Sequence, residues 1–248
     1  RSTPLYSSAA SDVYKRQRTG EPHIKKYIEQ RELTVIFAVD ISGSSLFGSV
    51  RRRKQPLAAM VTAVLAFSAI KNNDRVGLLL FDDDVELYLP PKKGRSHGLR
   101  VVRELIRPIA RKGTNIRLAL ETLNRLQRRK AIVFLISDMQ QPEIRRALGV
   151  TASRHDLITI TIEDPHEIVM PDVGMIDLED AETGERRLVD TSSATVRDWI
   201  NAKMKQRRDD TRRLLSSLKI DQIELRTDRD FAPPLVSFFN ARIRRAGA

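Results

Sequence analysis

Cysteine is absent from all 248 residues. A disulfide framework, a zinc–thiolate site and a cysteine nucleophile are therefore excluded, and packing must hold the fold. The absence suits a reducing compartment, and a cytoplasmic location is the expectation. Long apolar runs are missing too. The longest candidate, residues 57–70, falls short of the roughly 18 to 20 residues that a membrane span needs, so it reads as a buried helix. Aromatic residues make up only 5%, and no basic run is interleaved with rings, which argues against a stacking groove for single-stranded nucleic acid. The chain has no Gly-x-Ser-x-Gly elbow, no Gly-x-x-x-x-Gly-Lys loop and no Gly-x-Gly-x-x-Gly. The usual signatures of an α/β hydrolase, a P-loop and a dinucleotide site are thus missing. His23, His97, His155 and His166 are scattered without paired ligand spacing, so a histidine metal site is not expected.

What is present in excess is positive charge: 44 Lys and Arg against 32 Asp and Glu, a formal net charge of +12. Nucleic acid, an anionic surface or an acidic protein would each suit that balance. The basic clusters 51–54, 128–130 and Arg207-Arg208 read as solvated faces and loops in preference to phosphate contacts. A length of 248 residues suffices for one large α/β domain with a full core. Residues 1–17 (RSTPLYSSAASDVYKRQ) show no apolar period and none of the parts of a signal peptide. They resemble translated sequencing-adapter read-through, are set aside from the fold, and imply that the true N-terminus is missing. The expectation is a single domain over 18–248.

Residues 33–39 (LTVIFAV) form a β-branched apolar run ending at Asp40, as in a strand covered on both faces. Pro56 opens a helical segment to Ile70, where proline is tolerated in the first turn. Residues 75–81 and 85–89, separated by Asp82-Asp83-Asp84, predict an edge hairpin with a turn made of acids. Helices are expected over 99–110 and 116–126, with Thr114 on the loop between them. A second buried strand, 131–136, ends at Ser137-Asp138, and a third, 156–162, ends near Asp164-Pro165, with a helix over 143–150 between them. Residues 173–178 and 186–189 predict a small exposed hairpin, a loop insertion at about 171–190. A long helix over 193–218 follows, with Val196, Trp199, Ile200, Met204, Leu214, Leu215 and Leu218 as its apolar stripe, so Trp199 is expected to pack. A strand over 220–225 and a helix over 235–243 close the chain. This alternation implies a doubly wound, mostly parallel sheet with helices on both faces, a Rossmann-like α/β fold.

In such a sheet the first and fourth strands are neighbours, and the crevice where strand order reverses lies beyond their carboxyl ends. Asp40 and Asp138 would both face it. Asp40-Ile41-Ser42-Gly43-Ser44 adds two hydroxyls at alternate positions of a turning loop. All are hard oxygen donors, and magnesium, which wants about six oxygens and keeps some waters, would retain a position for an outside ligand. Thr114 could add a third hydroxyl. Alone, Asp-x-Ser-x-Ser is a weak signal that a helix-capping loop would also explain. Its setting between strand and helix, with the Ser-Asp strand end and the Gly-Thr loop, favours a metal site.

At these residues the chain resembles the domain of unknown function 58 family, bacterial proteins with a von Willebrand factor type A (vWA) domain that are often encoded beside MoxR-type AAA+ ATPases. The likeness runs from Arg18-Thr19-Gly20 and His23-Ile24-Lys25-Lys26 through Arg31-Glu32-Leu33-Thr34-Val35, Asn73-Asp74-Arg75-Val76-Gly77-Leu78 and Ile136-Ser137-Asp138 to Pro171-Asp172-Val173-Gly174 and Glu182-Thr183-Gly184. It implies a metal-ion-dependent adhesion site made of Asp40, Ser42, Ser44, Thr114 and Asp138, holding Mg2+ or else Mn2+ or Ca2+. It also implies a non-enzymatic role: binding a protein carboxylate through the metal, with a MoxR-type AAA+ ATPase as partner. Two other readings stay open. One is a magnesium-dependent phosphoryl-transfer hydrolase using Asp40 as nucleophile, although such sites carry a second aspartate where this chain has Ser42. The other is a basic nucleic-acid-binding protein.

Overall fold

The structure, a computed structural model, describes residues 32–43, 53–106, 113–139, 141, 143–179 and 186–246. The chain divides into two units, Arg1–Arg31 and Glu32–Ala248, and every described residue belongs to the second. Ser44 lies outside the described residues, as do 1–17 and the basic pair Arg51 and Arg52.

Eight strands and seven helices are seen among the described residues. In chain order they are β1 (Thr34–Asp40), α1 (Lys54–Lys71), β2 (Arg75–Phe81), β3 (Val85–Lys92), α2 (Arg95–Ile106), α3 (Ile116–Leu126), β4 (Ile132–Ile136), α4 (Arg145–Arg154), β5 (Asp156–Glu163), α5 (Pro165–Ile168), β6 (Met175–Glu179), β7 (Arg186–Asp190), α6 (Ala194–Ser217), β8 (Asp221–Arg226) and α7 (Ala232–Ala246). Six strands form the main sheet in the order β3-β2-β1-β4-β5-β8, and β6 and β7 pair separately. All main-sheet pairings are parallel except β2 with β3. That exception follows from the Asp82–Asp84 turn, which is too short for a crossover and reverses the chain. Pro90 and Pro91 lie in β3, which is tolerable because β3 is an edge strand. Gly77 of β2 allows this close approach, since a Cβ there would meet Pro91 Cγ at 3.0 Å and the Leu89 carbonyl at 3.1 Å.

Alternation along β1 sorts the core into two layers. Val35, Phe37 and Val39 face α1, α2 and α7, with Phe37 stacked on Phe134 at 5.4 Å and Phe239 of α7 edge-on to Phe134 at 6.5 Å. Ile36 and Ala38 face the other way, against Ile116, Leu120 and Leu123 of α3, Leu148 of α4 and Leu215 of α6. Burial on both faces is why β1, β2 and β4 read as continuous apolar runs. The expected doubly wound, vWA/Rossmann-like α/β fold with its small hairpin insertion is what the chain adopts.

Several expectations are corrected. The helix expected from 99 already begins at Arg95, and residues 107–112 lie outside the described residues. The helix expected over 143–150 begins at Arg145, because Glu143 takes a left-handed φ of 62° that a helix cannot contain. Trp199 does not pack: it is 64% exposed, with Lys203 Nζ 5.1 Å from its ring centre. A 24-residue helix is about 36 Å long, whereas six-residue β8 spans about 20 Å. The helix therefore outruns the sheet, and only its C-terminal end, at Leu215, reaches full burial.

Leu120 is fully buried on the α3 face. Its truncation to alanine is expected to lower unfolding free energy by about 2–5 kcal/mol, read from urea unfolding. A loss under about 1 kcal/mol would contradict the packing described.

Candidate functional site

Asp40 is the last residue of β1 and sits opposite Phe81 of β2. The Ile41 amide donates to the Phe81 carbonyl at 2.8 Å, extending the ladder one residue beyond the strand. The chain then turns, and the Ser42 amide donates back to Asp40 Oδ1 at 2.9 Å. From the neighbouring strand end, Ser137 Oγ donates to Asp40 Oδ2 at 2.7 Å, and the same Oγ accepts from the Met139 amide at 3.2 Å. Asp138 lies between these two residues. Met139 holds a φ of 60°, a left-handed conformation that costs a non-glycine residue energy and tends to occur where a loop has a task.

The loop carrying Thr114 is stitched to both neighbours. Gln141 donates through Nε2 to the Thr114 carbonyl at 2.6 Å and accepts from the Ile116 amide at 2.7 Å. The Asn115 amide donates to the Asp82 carbonyl at 2.6 Å, and its side chain caps α3 by accepting from the Leu118 amide at 3.1 Å. Thr114 Oγ1 is buried without a hydrogen-bond partner, a costly state for a hydroxyl.

A cavity of about 30 Å³, with room for one or two small species, opens beside Asp40, Ser137 and Asp138, with Lys54 and the apolar Ala58 and Ile162 in its wall. Asp40 is 7% exposed. Burial first and the charge of Asp138 second push its carboxyl up to about 6, against the opposing hydrogen bonds from Ser42 and Ser137. Among the described residues no three His, Cys, Asp or Glu side chains converge, so hydroxyl oxygens would have to complete the shell of any cation. The donors present fit a small hard cation: Asp40, Ser42 and Asp138 at one strand edge, and the partnerless Thr114 hydroxyl on the loop tied to it. Of the five residues expected from sequence, the structure brings Asp40, Ser42 and Asp138 together and ties the Thr114 loop to the same sheet edge.

The profile described as "Protein of unknown function DUF58" matches residues 12–210. The chain belongs to the DUF58 family. Uncharacterized proteins of Mycobacterium bovis and Mycobacterium tuberculosis are 32% identical to this DUF58 chain over 233 residues, which cover 92% of it and 73% of each relative. Among solved structures, the conserved hypothetical protein BatB from Bacteroides thetaiotaomicron is similar with a TM-score of 0.52 at 18% identity, over 86% of this chain and 99% of that one. An aerotolerance-related membrane protein from Bacteroides fragilis is similar with a TM-score of 0.51 at 17% identity, over 82% and 96%. At these identities the two structures bear on the fold alone. Among the described residues of the DUF58 chain, no helix is long and apolar enough to cross a membrane.

Sequence reasoning missed four contributors. Ser137 was visible only as the neighbour of Asp138. Gln141 carries no local signal at all, since its role depends on a loop 25 residues away. Asp82 belongs to the acidic turn, and its Oδ1 does accept from the Asp84 amide at 3.0 Å, yet the side chain is fully buried and Oδ2 has no partner. Lys54 ends a basic run expected to be solvated, but it is 4% exposed, with its ammonium paired to Glu167.

The raised carboxyl of Asp40 has a definite sign. Its folded-state pKa of about 6 lies above the ordinary 3.8, so the folded chain binds the proton more tightly than the unfolded one. Stability is then highest below about pH 4 for this group and falls as pH rises through about 6. In chelator, the wild type is expected to lose about 3 kcal/mol across that window relative to Asp40→Asn, measured by denaturant unfolding at several pH values. Parallel pH profiles for the two proteins would show that Asp40 is not desolvated as described.

Proposed function

We propose that this DUF58 chain is a non-enzymatic, metal-ion-dependent protein-binding domain. Asp40, Ser42, Ser44, Thr114 and Asp138 would hold Mg2+, or else Mn2+ or Ca2+, at the crevice beyond β1 and β4. The observation that carries this reading is the burial of Asp40 beside Asp138, with hydroxyl oxygens around them. Two clustered carboxylates of this kind gain most from a multivalent cation. The partnerless Thr114 hydroxyl supports the same reading, because a ligand would satisfy it.

A divalent cation bound there would supply an electrophilic position open to a carboxylate oxygen from a protein partner. The roles of the protein are to aim and to exclude. Ser42 and Ser137 fix the Asp40 oxygens, and Gln141 fixes the Thr114 loop. A MoxR-type AAA+ ATPase is the partner implied by the family resemblance, acting with the domain in assembly or regulation of a protein complex. Its need for ATP would put the pair in the cytoplasm.

The test is calorimetric titration of Mg2+ and Mn2+ into the full chain and into Asp40→Ala, followed by capture of the ATPase with and without chelator. Saturable binding is expected in the wild type and not in the variant, with capture lost on chelation. Capture that survives both the substitution and the chelator would end the metal-mediated reading.

A further inference from the structure

Helix α1 carries no charged residue between Lys54 and Lys71. A helix that is apolar on every side is ordinarily covered on every side. Leu57, Val61, Leu65 and Ala69 are buried in the core layer beneath it. Met60, Val64 and Phe67, spaced at i, i+4 and i+7, form a second stripe that remains 36% to 48% open to solvent. Helix α2 packs beside α1, and Gly98 permits the approach: a Cβ there would overlap Ile70 Cδ1 and come within 3.8 Å of Phe67 Cε1. Val102 lies one turn beyond Gly98 on the same side of α2. It is half-buried, and the stripe it begins runs outward to Leu99 and Ile106, which are 52% and 67% exposed. A groove of about 680 Å³ is lined by Leu99, Val102, Arg103, Glu104 and Ile106. Single apolar residues on a surface are ordinary, whereas two apolar stripes on adjoining helices, one of them bordering a groove, mark a contact surface.

Charge selects the occupant. Arg103 lines the groove, Arg100 stands one turn before it, and Arg95 one turn before Leu99. Arg95 and Arg100 make no ion pair among the described residues, and the single acid of the groove, Glu104, is largely covered with Arg103 at 3.4 Å. A second copy of the chain would bring the same arginines and a further formal charge of +12 against them, which opposes self-association. A lipid surface takes a convex apolar face and has no ridge to seat in a groove. An amphipathic protein helix has one, and acidic residues flanking its apolar ridge would complement the arginines.

We propose that the α1–α2 face is a docking surface for an acidic amphipathic helix of a partner protein, with apolar side chains seated on Met60, Val64, Phe67, Leu99 and Ile106 and carboxylates against Arg100 and Arg103. The face contains none of the residues of the proposed metal site, and the inference does not depend on a metal.

The test titrates the full chain, in chelator, into a fluorescent synthetic helix of about 15 residues with leucines at i, i+4, i+7 and i+11 and glutamates flanking them; the same helix with lysines in place of the glutamates is the control. Saturable binding of the acidic helix that weakens with salt is expected, and none of the lysine helix. Val64→Asp and Ile106→Asp, both at exposed positions, are each expected to weaken binding about tenfold or more. Arg100→Glu combined with Arg103→Glu is expected to lose the acidic helix and gain the lysine helix, an exchange that misfolding could not produce. Absence of saturable binding of the acidic helix, equal binding of the two helices, or wild-type affinity in both Val64→Asp and Ile106→Asp overturns the proposal. Sedimentation and vesicle binding complete the test: a concentration-dependent dimer abolished by Val64→Asp would assign the face to a second copy, and binding to phosphatidylglycerol vesicles abolished by Val64→Asp would assign it to a membrane, and either result overturns the proposal as well. Thermal melts of every variant establish that each is folded during titration.

Discussion

Strands β1 and β4 lie side by side and parallel at the centre of the sheet, and from them the chain leaves in opposite directions, to β2 on one side and to β5 on the other. No crossover can cover the carboxyl ends of both strands. A crevice must open there, and whatever residues follow the two strands must share it. Asp40 ends β1 with Ser42 beyond it, and Ser137 with Asp138 follows β4. The site is thus a consequence of strand order before it is a consequence of any side chain. The loops that border it, the Thr114 loop through Gln141 and Asn115 among them, are held to the same edge by bonds between backbone and side chain.

Placing carboxylates at that point brings a second constraint. The two-layer core on either side of β1 makes the strand ends low in water, so Asp40 is desolvated as soon as the sheet forms. Its oxygens are kept in place by a short backbone turn and one serine hydroxyl, which hold geometry but add no charge. Positive charge is close by in Lys54, which pairs with Glu167. Other basic residues are paired elsewhere, as in Arg212 with Glu224, Arg226 with Asp228 and Arg242 with Asp156.

Much of this was legible in the linear order of residues. The apolar runs of β1, β2, β4 and β5 are long enough, and sufficiently β-branched, to announce strands covered on both faces, and the acidic Asp82–Asp84 turn announces the antiparallel edge. From strand count alone, β1 and β4 become neighbours, which brings Asp40 and Asp138 to one edge. These features were readable because each is a property of a contiguous segment, or of the order of segments, and neither depends on the details of packing.

Tertiary structure decided the rest. Leu215 is buried and Trp199 is exposed, because the two lie about 160° apart around the helix and the hydrophobic pattern carries no information about where the partner surface stops. Lys54 sits at the end of a run of basic residues, and its burial depends on a glutamate 113 positions later. The bond from Ser137 to Asp40 spans 97 positions. Sequence by itself therefore determined the elements, their order and the edge where the carboxylates meet. The folded chain alone decided which charges are desolvated and which neighbour each one faces, since desolvation and Coulomb interaction depend on distance in space and not on distance along the chain.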